Sequence, residues 1–166
     1  DGTTTDSNIP VQVSGISDAL AIAAGGEKHG HSLALLKDGT VWTWGNNESG
    51  QLGDAGTGNS AKPIQVTIDN SGGGIIAIAA GIQHSLALRA DHYVFGWGSN
   101  INGQLGRSDS YGSTAALPKE AEGISSAFAI AAGGMHSLLM RTDKDSNMFC
   151  GTGDNNAGQL GLGSGG

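Results

Sequence analysis

The chain has 166 residues, 30 of them glycine and 3 proline, with 5% aromatic residues and a formal charge of −7 from 15 acidic and 8 basic side chains. An acidic surface repels the phosphate backbone, and the basic residues are scattered from Lys28 to Lys144, so sequence-general nucleic-acid binding is disfavoured. The longest apolar stretch, Gly74 to Ile82, falls far short of the roughly 20 residues that span a bilayer, and the single Cys150 excludes an intrachain disulfide.

In chain order, the polar lead DGTTTDSN gives way to Pro10-Val11-Gln12-Val13, read as a strand with proline at its first residue, where a strand tolerates it. Ala21–Ala24 is small and apolar, suited to a closely packed inner strand. His31–Lys37 and Thr40–Trp44 alternate around Asp38-Gly39, a hairpin signal because the turn needs positive φ. The polar loop GNNESGQLG (45–53) follows, and Pro63-Ile64-Gln65-Val66 opens the next strand. Ile76–Ala80 is a second inner strand, and a second hairpin leads into GSNINGQLG (98–106). Phe128–Ala132 is the third inner strand. Its hairpin is read as a turn stretched through Thr142–Asn147, before GDNNAGQLG (153–161).

The order therefore repeats. His-Ser-Leu begins at 31, 84 and 136, and Gly-Gln-Leu-Gly at 50, 103 and 158, giving a period of 52 to 55 residues. A period near 50 with strand-like content indicates propeller blades. The chain reads as a single repeat domain, 1–166, with units of approximately 9–62, 63–117 and 118–166. Trp44 and Trp97 fall at matched hairpin positions where the third unit has Thr152, and Cys150 stands where Trp42 and Phe95 do. The loops read as connectors: glycines permit unusual φ, Asn side chains bond nearby backbone, and the Leu plugs between neighbouring blades.

The repeated A-A-G-x-x-H-S-L-x-L, followed by Trp-Gly-x-Asn-x-x-Gly-Gln-Leu-Gly, resembles the regulator of chromosome condensation repeat, from Ile9 to Gly163. That resemblance implies a β-propeller with blades of four antiparallel strands, commonly seven to a ring. Members of the family include a guanine-nucleotide exchange factor acting on chromatin, a bacterial secreted inhibitor of β-lactamases and many protein-interaction modules. The fold transfers more safely than a function. The first unit departs by extra residues in GGEKHGHS, the third by its altered hairpin.

Three such units do not close a ring. The expected architecture is all-β: three four-stranded antiparallel blades of a partial propeller, completed by other subunits or left open. GQLGLGSGG placed before DGTTTDSNIPVQV reads like the internal GQLGDAGTGNSAKPIQV. An assembly interface is therefore expected between Pro10, Val11, Gln12 and Val13 of one copy and Gly158, Gln159, Leu160 and Gly161 of another. Such head-to-tail contacts give a ring or a filament. The alternative is a fragment of a seven-bladed propeller that binds a protein partner, as a secreted enzyme inhibitor or a nucleotide-exchange factor. Gly, Ser, Thr and Asn richness with few lysines points to an extracellular, secreted product.

No catalytic, cofactor or metal residues are expected. His31, His84 and His136 each precede Ser32, Ser85 and Ser137, but adjacent strand residues point to opposite faces, so no Ser-His dyad forms within a blade. The imidazoles are expected to bond backbone between strands. The Gly-rich loops lack the Lys-Ser/Thr of a phosphate loop, and Asp54–Asn59 and Asp69–Gly74 lack the spacing of a calcium loop. Lys28-His29-Gly30-His31 offers at most an adventitious metal grip. Asn47-Glu48-Ser49 is a glycosylation sequon in a loop expected at the surface.

Overall fold

The computed structural model describes residues 2–143 and 146–163, and every regular element among them is a strand. The first sheet comprises β1 (Ala19–Gly26), β2 (Gly30–Leu36), β3 (Val41–Gly45) and β4 (Ser60–Val66). The second comprises β5 (Ile75–Ala80), β6 (His84–Arg89), β7 (Val94–Ser99) and β8 (Thr114–Glu120). The third comprises β9 (Ala127–Ala132), β10 (His136–Asp143) and β11 (Ser146–Gly153). Each sheet is an antiparallel meander in chain order, so each is a blade. The third blade has three strands among the described residues, where no segment equivalent to β4 or β8 pairs with β11.

The repeat alignment is reproduced in the registers. Ser32 opposes Trp44, Ser85 opposes Trp97 and Ser137 opposes Thr152; Ala34 opposes Trp42, Ala87 opposes Phe95 and Leu139 opposes Cys150. The first hairpin turns on Gly39 with φ of 80°, and the second puts His92 in the same left-handed region at 73°. A side chain there is disfavoured. His92 is held by its Nδ1–H, which donates to the Ala127 carbonyl of the next blade at 2.9 Å.

Three local expectations are revised. Pro10–Val13 belongs to no strand of the single chain. Pro63 lies inside β4 rather than at its start, at a bulge between the Ile64↔Thr43 and Ser60↔Gly45 pairings, on an edge strand where a missing N–H costs no ladder bond. The turn expected through Thr142–Asn147 is in part strand: Thr142 pairs with Asn147 and Asp143 with Ser146, and 144 and 145 lie outside the described residues.

The core lies between blades rather than within one. Leu33, Leu35, Val41 and Val66 of the first blade meet Ile75, Ala87, Phe95 and Trp97 of the second. A smaller cluster of Leu88, Val94, Ala121 and Ala127 joins the second blade to the third. Adjacent blades also touch through their first strands, β1 on β5 and β5 on β9. The approach there is closer than any side chain allows. A Cβ on Gly25 would lie 1.9 Å from the Gly81 carbonyl oxygen, and one on Gly81 would lie 2.6 Å from that of Gly133. The glycine after Ile-Ala-Ala in the first and second blades is thus a blade-contact requirement.

The joint between blades as the candidate functional site

Strand alternation sends His31, Leu33 and Leu35 to one face of the first blade and Ser32 and Ala34 to the other. The next blade brings its Ser85 against His31. The His31 Nε2 lies 2.9 Å from Ser85 Oγ, and the Ser85 O–H donates to the Gln51 carbonyl, also at 2.9 Å. Since the hydroxyl proton is spent on that carbonyl, Ser85 accepts from His31 Nε2–H, which fixes the tautomer. Trp97 Nε1–H donates to the same Gln51 oxygen at 2.9 Å. The joint recurs between the second and third blades. His84 Nε2 meets Ser137 Oγ at 2.9 Å, and Ser137 donates to the Gln104 carbonyl at 2.7 Å. There Thr152 replaces the tryptophan and donates to the Gly103 carbonyl at 2.6 Å.

The accepting carbonyl is held by its loop. Gln51 Oε1 accepts from Ser49 N–H, its Nε2 donates to Asn46 Oδ1, and Asn47 Oδ1 accepts from Leu52 N–H. Asn102, Gln104, Asn100 and Leu105 repeat the amide pattern, as do Ala157, Gln159, Asn155 and Leu160. The expected Asn-to-backbone bonds are thus present. Leu52 and Leu105 are buried, and Leu105 lines a small apolar void against Leu139 and Thr152 of the third blade. The sequon expectation is overturned: Asn47 is fully buried, with its Nδ2 donating to Asp54 Oδ1 and the Gly56 carbonyl.

Burial holds both joint imidazoles neutral. His31 is lowered to about 4 by desolvation, partly opposed by the His84 carbonyl. His84 is likewise lowered to about 4 by desolvation, reinforced by the neighbouring His31 and His136. A buried neutral imidazole donating to a serine that itself donates away has no proton to accept from that serine, so the pair is not a nucleophile and base. The side-chain partner of each of these two histidines is the serine of the next blade, where backbone alone is expected from the sequence. The signal in the sequence is that His and Ser recur together at one period, so the His of one blade meets the Ser of the next.

Asp54 is engaged by Asn47 and Gly56, and Asp69 pairs with the buried Arg89, which also forms a two-pronged ion pair with Asp91 and lies over Phe95 at 4.8 Å. Among the described residues no three His, Cys, Asp or Glu side chains come together, and no helix is long and apolar enough to cross a membrane. Pro10, Val11 and Gln12 are exposed and Val13 is half-buried; Gly158 and Gly161 are exposed, Gln159 and Leu160 half-buried.

The repeats and their fold match known proteins. Profiles of the regulator of chromosome condensation (RCC1) repeat match residues 38–88 and 91–140, and a second profile of that repeat matches 21–51 and 75–104. The human protein named "Probable E3 ubiquitin-protein ligase HERC6" is 38% identical over 136 residues, 80% of this chain and 13% of its own. The Arabidopsis thaliana ultraviolet-B receptor UVR8 is 32% identical over 110 residues, 66% of this chain and 24% of its own. The crystal structure of Prp20p from Saccharomyces cerevisiae, described with its binding properties to Gsp1p and histones, superposes with a TM-score of 0.77 at 25% identity, over 90% of this chain and 36% of that one. The chain thus spans a small part of its curated relatives and about a third of its structural ones. With two repeat profiles matched and the blades superposed on a propeller, the chain belongs to the regulator of chromosome condensation repeat family.

Proposed function

We propose that the chain is a non-enzymatic interaction protein whose blades associate with further copies of itself, head to tail, through the N-terminal strand segment and the C-terminal blade. One observation carries the reading: β4 and β8 close their blades on the edges of β3 and β7, whereas β11 has no such partner among the described residues. The Pro10-Val11-Gln12-Val13 segment has the sequence pattern of Pro63–Val66, lies largely exposed and is in no strand. In β4, Val66 opposes Val41 and Gln65 opposes Trp42. The same register would set Val13 of one copy opposite Phe149 of another, and Gln12 opposite Cys150. Unpaired strand edges of this kind drive association. Composition favours a secreted setting for such an assembly.

The test is the mass of the chain in solution by light scattering across micromolar concentrations. Concentration-dependent oligomers, reduced by Val13→Asp, are expected; a folded monomer throughout overturns the reading. A second reading has its own support, since the chain spans 36% of the Prp20p chain. Further blades of one polypeptide would then cover both free faces, and the whole propeller would bind a protein partner, as a secreted enzyme inhibitor or an exchange factor. A persistent monomer favours that reading.

A further inference from the structure

The two free faces are the separated halves of the joint that the chain already contains twice. On the first blade, Ser32 and Trp44 occupy the positions of Ser85 and Trp97, yet neither Ser32 Oγ nor Trp44 Nε1 has a hydrogen-bond partner among the described residues. On the third blade, His136 and Gln159 occupy the positions of His31 and Gln51, and His136 is half-buried where His31 and His84 are buried. The apolar positions follow suit. Leu138 is 39% exposed against 0% for Leu33, and Phe149 is 78% exposed against 1% for Val41. On the opposite face Ile22 is 80% exposed, whereas its counterparts Ile78 and Ile130 pack into the two joints.

The N-terminal segment is already shaped for the contact. Pro10–Ala19 (PVQVSGISDA) parallels Pro118–Ala127 (PKEAEGISSA), which wraps the second blade against the third. The backbones match: Gly15 and Gly123 have φ of 79° and 66°, and Asp18 and Ser126 have 56° and 63°. The Asp18 carbonyl accepts from Lys37 N–H as the Ser126 carbonyl accepts from Thr142 N–H. Ala121 and Ile124 pack in the joint there. In the first blade their counterparts Val13 and Ile16 instead line one wall of an open apolar groove, with Ile22, Ala23, Ala34 and Trp44 on the other. This groove corresponds to the slot that the preceding blade fills at each internal joint.

We infer that the occupant of this slot is the third blade of a second copy, with His136 Nε2–H donating to Ser32 Oγ while the Ser32 O–H and Trp44 Nε1–H donate to the Gln159 carbonyl. The assignment rests on the self-association reading above and adds its side-chain recognition. Continuity with the two internal interfaces is its warrant: every polar and apolar position has its counterpart, donor for acceptor. The joint makes association directional, because each face recognises only the other kind.

The test uses full-length Ser32→Ala, Trp44→Phe and His136→Ala chains, checked for folding by circular dichroism, with Kd read by sedimentation. Ser32→Ala and His136→Ala are each expected to weaken association about tenfold or more, because each breaks the buried His–Ser bond, and Trp44→Phe to weaken it by a smaller factor, because the Gln159 carbonyl keeps its Ser32 donor. Ser32→Ala and His136→Ala combined in one chain should weaken it less than the product of the single effects, because one hydrogen bond is lost only once. Mixing the two single variants should restore a pairing of wild-type affinity, between the intact third blade of one and the intact first blade of the other. Unchanged Kd in all three single variants, with the wild type still associating, overturns this joint and leaves strand-mediated association standing. A wild type that never associates overturns both.

Discussion

The two internal joints share one polar frame and differ in what fills it. Between the first and second blades, Trp97 is fully buried, donates to the Gln51 carbonyl and packs with Phe95 in the larger cluster. Between the second and third, Thr152 reaches the Gly103 carbonyl, Cys150 replaces Phe95 in register, and a small apolar void remains beside Leu105. The His–Ser–carbonyl chain is the same in both. Hydrogen bonding therefore sets how blades align, and the aromatic filling sets how strongly they hold, because buried apolar area dominates stability while a satisfied hydrogen bond contributes little net.

The largest break in this comparison is Trp97→Ala, expected to cost about 3–5 kcal/mol by removing the core of the first joint. Thr152→Ala at the matched position should cost about 1 kcal/mol, and urea melts of both variants measure the contrast. If they cost the same, the division between filling and alignment fails.

Acid acts on both joints. His31 and His84 titrate near 4 when folded and at the ordinary 6.5 when not, so the unfolded chain binds more protons between those values. Their contribution is fully present above pH 6.5 and is lost as pH falls towards 4, by up to roughly 3 kcal/mol per site. Melting temperature should drop over that window, and His84→Gln should flatten part of the slope. An unaltered slope in that variant would show the drop to come from elsewhere.

The smallest expected difference is the sharpest. Ser85→Ala and Ser137→Ala each leave a buried histidine and a carbonyl without their shared partner, costing about 1–3 kcal/mol. Ser32→Ala should leave the monomer's unfolding free energy within about 0.5 kcal/mol of wild type, since no side-chain hydrogen bond reaches it among the described residues. Equal losses at all three serines would mean that the hydroxyl matters within its own blade.

The blades were legible because their signals are local. Asp38-Gly39 turns where its sequence demands, and the matched spacing of Trp44 and Trp97 is reproduced as Ser32↔Trp44 and Ser85↔Trp97. The joint was half legible. Alternation correctly separates His31 from Ser32, but no local rule brings His31 to Ser85, because that depends on how one twisted sheet stacks on the next. Asn47 was misplaced for a related reason. A polar loop reads as surface, whereas this one is folded against its own blade and the following one, with every amide spent inside. The third hairpin misled because Thr142–Asn147 is polar without a breaker, and polar residues pair well enough on an exposed strand end.

The strand that closes each blade is continuous with the segment that begins the next: β4 runs into the loop leading to β5, and β8 into the wrap leading to β9. Overlap of this kind has a consequence for unfolding. The first blade cannot peel away without tearing β3 from β4, which the second blade's packing holds in place, so opening is penalised from that side. The third blade carries no such clasp on β11 among the described residues. Amide exchange should therefore run fastest along β11 and slow progressively towards β6 and β7, an order of opening written by chain connectivity rather than by the strength of any single contact.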